Sequence, residues 1–86
     1  MYKLKYTIRS QKDAKLLNRA GLKNKTEKLL ETIRKNPYQK QPPFKKLQGD
    51  LKGSLSRRIN KQHRLVYQVC EEEKIVKIIQ MWSHYE

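Results

Sequence analysis

At 86 residues the chain has room for one domain, and a domain of this size buries only about 60–65% of the surface its unfolded form exposes, so its core must be thin. Lys and Arg number 21 against 8 Asp and Glu, a formal net charge of +13, which opposes compaction and attracts polyanions; a nucleic acid or a strongly acidic protein is the expected partner. The lone Cys70 cannot close an internal disulfide, no Cys/His cluster has metal-ligand spacing, and neither a signal-like segment nor the ~20 apolar residues of a membrane span is present. These features exclude a disulfide scaffold and a zinc module, and lead to the expectation of a cytoplasmic protein without metal, cofactor or membrane association.

Tyr2, Leu4, Tyr6 and Ile8 alternate with Lys3, Lys5 and Thr7, the period of a strand with one buried face. Ser10 followed by Asp13 resembles a capping pair that opens a helix, Ala14, Leu17 and Ala20 face inward along it, and Gly21 supplies a left-handed end. Leu22, Thr26, Leu29, Leu30 and Ile33 then recur at helical spacing until Asn36-Pro37 stops the pattern. From Asn36 to Gly53 three prolines and two glycines rule out a long regular element, leaving a structured loop that carries Lys40, Lys45, Lys46 and Lys52.

The remainder reads as a three-stranded antiparallel meander, about 54–60, 63–70 and 74–83. The order β-α-α-β-β-β over residues 1–86 predicts a single α+β domain, an antiparallel sheet with a helical hairpin on one face and the other face open. If Asn60-Lys61-Gln62 is a three-residue loop, Ile59 pairs with His63, Arg57 with Leu65 and Leu55 with Tyr67, which collects Leu55, Ile59, Leu65, Tyr67 and Val69 on the core face. A two-residue loop would set Ile59 opposite Arg64 and mix charge into the apolar stripe. The preferred register leaves Arg57 at the edge of the core face and places Arg58 opposite Arg64 on the open face. Like charges so placed are destabilising unless well solvated or shared by an anion, and two planar guanidinium forks suit a phosphate.

The stretch from Ser56 through Arg57, Arg58, His63 and Arg64 to Tyr67, closed by Trp82-Ser83-His84-Tyr85, resembles the YoeB/Txe toxins of the RelE superfamily nearly letter for letter. The likeness covers almost the whole chain and is strongest over 37–86. It implies a metal-free endoribonuclease that cuts messenger RNA in the ribosomal A site and inhibits translation. It also implies a cognate antitoxin of the YefM/Axe kind, whose partly acidic, disordered tail folds over the basic face, and a homodimer as a further assembly.

Metal-free cleavage needs a base for the ribose 2′-hydroxyl, cations for the charge on the transition state, and an acid for the leaving 5′ oxygen. Arg58 and Arg64 answer the second need and His84 the third, with Tyr85 beside it able to stack on a base or donate a hydrogen bond. Lys46, Lys52 and Arg57 complete the group expected to bind RNA phosphates. The first need is where the chain departs from the family: alignment on Lys46-Leu47 and Gly53 puts Lys45 where these toxins carry a glutamate base. Three readings stand: an attenuated toxin, a lysine that works as in RelE relatives because a cationic site disfavours its charged form, or an alignment displaced across the prolines. Asp50 and Glu86 are poorly placed to substitute. His63 and Cys70 read as structural, Cys70 as a buried small hydrophobe, Trp82 as a core or dimer contact, and Glu71–Glu73 as a solvated turn. The rival functions are a non-catalytic binder of the ParE kind, which inhibits gyrase, and a plain basic nucleic-acid-binding module, which binds with steep salt dependence and leaves RNA intact.

Overall fold

A computed structural model describes residues 1–82. In chain order the elements are β1 (Lys3–Tyr6), α1 (Ile8–Arg19), α2 (Lys23–Lys35), β2 (Phe44–Lys46), a 3₁₀ turn (Gly49–Leu51), β3 (Leu55–Arg58), β4 (Arg64–Cys70) and β5 (Ile75–Gln80). The five strands form one sheet in the order β1-β5-β4-β3-β2. The expected α+β architecture holds, with two differences. The sheet is mixed, because β1 runs parallel to β5, which follows from β1 being joined to the meander through both helices rather than by a hairpin. It also has a fifth strand, β2, inside what reads from sequence as loop.

The N-cap of α1 lies three residues before the Ser10-Asp13 pair. Thr7 is its N-cap, its Oγ1 accepting from the Ser10 N–H at 3.0 Å, while the Ser10 hydroxyl donates back to the Thr7 carbonyl at 2.9 Å. The Ser10 N–H, an otherwise orphaned donor of the first turn, is thereby satisfied, and the Thr7 carbonyl accepts from Gln11 N–H at 3.1 Å as well. Asp13, far from capping, is buried one turn further on. At the other end Gly21 has φ +77, Leu22 N–H bonds Leu17 C=O at 2.9 Å and Gly21 N–H bonds Asn18 C=O at 3.1 Å, the double closure that lets a helix reverse direction. Ala20, expected inside, is exposed at this corner.

The helical hairpin delivers Leu17, Leu29 and Ile33 onto Leu55, Ile59, Leu65, Tyr67, Val76 and Ile78, with Met81 closing the cluster. Full burial of each such side chain stabilises by about 1.5–3 kcal/mol, and those on the sheet come from alternate positions of the central strands. A register shift between Val66 and Tyr67 interrupts the β4–β5 ladder, Val66 pairing with Gln80 and Tyr67 with Ile78. The irregularity is held in place from outside the sheet, Thr7 Oγ1 donating to the Ile79 carbonyl at 2.7 Å. Cys70 is exposed rather than buried: it ends β4 on the face away from the helices, with Glu73 Oε1 at 3.4 Å from its thiol. The Glu71–Glu73 turn is solvent-exposed as expected.

Candidate nucleic-acid interface

The β3–β4 register is the one the three-residue turn predicts: Leu55 pairs with Tyr67, Arg57 with Leu65 and Arg58 with Arg64, and Ile59 N–H bonds His63 C=O at 2.8 Å. Arg58 and Arg64 therefore share the face turned from the helices. On β2, Lys45 pairs with Ser56, which puts Lys45 on the same face, one row and about 7 Å along the strands from the arginine pair. Lys45, Ser56, Arg58 and Arg64 line one open concavity of about 440 Å³, walled by Pro42, Pro43 and Phe44.

Direct opposition of two guanidinium groups is relieved by a sideways turn. Arg64, half-buried, donates from Nη1 to the Ser56 hydroxyl at 3.2 Å, whereas Arg58 is exposed. The buried serine thus orients one cation and leaves the other to solvent. Among the described residues, none of Lys45, Arg58 and Arg64 takes part in an ion pair, and no carboxylate lines the concavity. Asp50 belongs to the 3₁₀ turn after β2 and does not reach it. Three cations without counter-charge form a receptor for an anion, and planar guanidinium forks favour phosphate or carboxylate.

The other expected RNA-binding residues do not join this group. Lys46 pairs with the core residue Leu55 and so leaves the sheet on the helix side, where with Lys52, Tyr38 and Val69 it lines a separate concavity of about 370 Å³. Arg57 is withdrawn altogether. It has no exposed surface, its Nε donates to Tyr67 Oη at 2.9 Å, its Nη2 to the carbonyls of Gln39 at 2.6 Å and Pro37 at 3.1 Å, and its Nη1 to that of Pro42. The guanidinium also lies 5.1 Å from the centre of the Phe44 ring, within cation–π range. A fully buried cation with its donors committed to carbonyls cannot reach a nucleic-acid phosphate; Arg57 ties the proline loop to the sheet. Tyr67 shares the task, donating to Pro37 C=O at 2.7 Å, and burial raises its phenol above the ordinary range against the lowering effect of Arg57. The signal for this was in the register, which sets Arg57 opposite Leu65 on the core face.

His84 and Tyr85 lie outside the described residues. The chain that leads to them is held by three side chains, from the cap and the body of α1 and from the β3–β4 turn. Besides Thr7 on the Ile79 carbonyl, buried Asp13 Oδ2 accepts from Met81 N–H at 3.0 Å, and His63 Nδ1 hydrogen-bonds the Trp82 carbonyl. The His63 and Trp82 rings stack with centroids 4.0 Å apart at 21°. His63 is thus structural as expected, and Trp82 packs against the core cluster. Ser56 and Asp13 are the residues that sequence reasoning missed; the value of Ser56 depends on knowing that β2 lies beside it. Among the described residues no group of three metal-ligating side chains occurs, and no helix is long and apolar enough to cross a membrane.

Fold and face define a class: a small, strongly cationic α+β domain whose sheet presents, among the described residues, three cations outside any ion pair. The model of the YoeB-like toxin of bacterial type II toxin-antitoxin systems matches residues 5–85. Toxin YoeB of Synechocystis sp. is 36% identical over 76 residues, 88% of this chain and 79% of that protein. Among solved structures, a YoeB/ParE toxin from Agrobacterium tumefaciens is similar at a TM-score of 0.86 and 32% identity, over 96% of this chain and 99% of that one. The YoeB–YefM toxin–antitoxin heterotetramer from Staphylococcus aureus matches at 0.80 and 30%, over 99% of each chain. The chain belongs to the YoeB family of toxins of type II toxin–antitoxin systems.

Proposed function

We propose that this toxin is a ribosome-dependent endoribonuclease that cleaves messenger RNA by acid–base catalysis from its own side chains. The observation that carries the reading is the convergence of Arg58, Arg64 and Lys45 on one concavity with no carboxylate partner among the described residues. In the reaction the ribose 2′-hydroxyl loses its proton and attacks the adjacent phosphorus, and the 5′ oxygen leaves. Arg58 and Arg64 bind the scissile phosphate and neutralise the charge that grows on its oxygens. His84 donates the proton to the leaving oxygen, and Tyr85 stacks on or hydrogen-bonds the neighbouring nucleotide. Lys45 occupies the position of the base and takes the 2′-hydroxyl proton only as the neutral amine, the minor form of a lysine at neutral pH, which makes an attenuated enzyme. The ribosome supplies alignment, so a weak acid–base set suffices.

The same cations suit the acidic segment of a YefM/Axe-like antitoxin, as the complex of the Staphylococcus aureus relative suggests, and homodimerisation is in keeping with the YoeB dimer of that organism. The test is primer extension on messenger RNA incubated with ribosomes and the protein. New 3′ ends that require ribosomes, and that disappear with Arg64→Ala or His84→Ala while the fold persists, are expected; uncut RNA bound with steep salt dependence would favour a non-catalytic binder.

A further inference from the structure

Ser54 carries the one buried side-chain polar atom that finds no hydrogen-bond partner among the described residues. The residue is 1% exposed. Its backbone is engaged, the N–H donating to Leu51 C=O at 2.9 Å and the C=O accepting from Leu47 N–H at 3.0 Å, so the hydroxyl alone is left over. A buried group in that state costs stability. Ser54 lines the concavity of about 370 Å³ on the helix side of β2, together with Lys46, Lys52, Gln48 and Tyr38. No carboxylate lines this hollow, and neither lysine takes part in an ion pair among the described residues. The two backbone closures at Ser54 fold the 47–54 loop back on itself and so bring the lysines to one place.

Tyr38 supplies an aromatic platform. Its ring is 44% exposed, and its backbone is fixed from both sides: Arg57 binds the carbonyls of Pro37 and Gln39, and the Tyr38 N–H donates to Asn36 Oδ1 at 3.0 Å. A fixed, half-open ring beside two cations is the combination that takes up one nucleotide of a single strand, base on ring and phosphate on cations. Resting on the RNA substrate of the proposed reaction, we infer that this hollow is a second nucleotide subsite, with a base stacked on Tyr38, a phosphate between Lys46 and Lys52, and the Ser54 hydroxyl turned to the ligand. A serine hydroxyl moves among three staggered positions about one torsion, so Ser54 gains with the ligand the partner it lacks within the protein. The volume lies at the lower end of the about 300–1,000 Å³ of ligand sites, room for one nucleotide. Lys45 and Lys46 leave β2 on opposite faces, and β2 is an outer strand of the sheet. A single strand of RNA that rounds this edge therefore meets the arginine concavity on one side and the tyrosine hollow on the other. An acidic peptide would use the lysines and leave the ring idle.

The experiment measures binding of fluorescently labelled oligoadenylate without ribosomes, beside a probe with the same ribose-phosphate backbone but no bases and a glutamate-rich peptide, with every variant checked by thermal melting. Tyr38→Leu should weaken oligoadenylate about tenfold, Tyr38→Phe should keep the wild-type affinity, and the probe without bases should respond to neither change. The Lys46→Ala/Lys52→Ala variant should make the salt dependence shallower, its logarithmic slope falling by about 1.4 for two lost contacts to a single strand. Ser54→Ala should weaken binding several-fold and raise the melting temperature, because it removes an unmatched buried hydroxyl from the free protein. Unchanged oligoadenylate affinity in Tyr38→Leu or Ser54→Ala, an unchanged salt slope in the lysine variant, or a wild type that leaves oligoadenylate unbound overturns the inference. So does a glutamate-rich peptide that binds with the same dependence on Tyr38. RNA bound in the expected way but left uncut on ribosomes overturns the catalytic reading alone.

Discussion

Arg57 and Arg58 are adjacent in sequence and opposite in environment: Arg57 is fully buried and bonded to Tyr67 and three loop carbonyls, whereas Arg58 is exposed on the far face of the same strand. One doublet therefore serves the fold and the site separately. Arg57→Ala should destabilise by about 3 kcal/mol or more, since it strands several buried carbonyls and leaves a void. Arg58→Ala should stay within about 0.5 kcal/mol of wild type and yet lose most cleavage. Urea unfolding and ribosome-dependent cleavage of the two variants check both halves.

Tyr67→Phe removes the hydroxyl that accepts from Arg57 and donates to Pro37. An unsatisfied buried partner costs about 1–3 kcal/mol, and a loss of that order is expected in denaturant unfolding. Alkaline behaviour should change too. Burial raises the Tyr67 pKa above its unfolded value, so its contribution is fully present below an unfolded pKa of about 10 and is lost as pH rises through the folded pKa. In Tyr67→Phe that share of the alkaline loss should be absent, which stability measured from neutral to strongly alkaline pH would reveal.

Lys45→Glu should raise cleavage. The residue lines the concavity with Arg58 and Arg64, and a carboxylate there would be kept ionised by both guanidinium groups while being able to take the 2′-hydroxyl proton. If the lysine is itself the working base, the same change leaves activity level or lowers it and Lys45→Ala is damaging. Single-turnover rates for the three proteins separate these outcomes, and equal rates would remove position 45 from the chemistry.

Asp13→Ala leaves the buried Met81 N–H without its acceptor and should cost about 1–3 kcal/mol. The urea midpoint should fall with an unchanged slope, because the losses are local, this hydrogen bond and the ion pair with Arg9 at 3.7 Å, and not a change in compactness.

The parts of the fold legible in sequence were those with unambiguous period and punctuation. The β3–β4 turn could be counted, and each side chain's face followed from it, including the Arg58–Arg64 pair. Strand β2 was not legible because three residues, Phe44–Lys46, are too few to display alternation and are preceded by two prolines; it is a strand because β3 offers it a ladder. The start of α1 was misplaced because Thr7 fits the alternation of β1 and the N-cap equally well. Cys70 was assigned inside because a cysteine is usually buried, while its place at the end of β4 decides otherwise. Grouping Lys46 and Lys52 with the arginines counted charge without side, and only the pairing of Lys46 with Leu55 separates them.

Both outer strands of the sheet are studded with lysine, Lys3 and Lys5 on β1 and Lys45 and Lys46 on β2. A bare strand edge is a template on which a further chain can polymerise, and ammonium groups along it are one way proteins prevent this. The charge that draws a polyanion to one face thus also guards the rims against aggregation. That guard is electrostatic and weakens as salt shortens the screening length to about 8 Å at physiological ionic strength, so concentrated stocks should keep best at low salt.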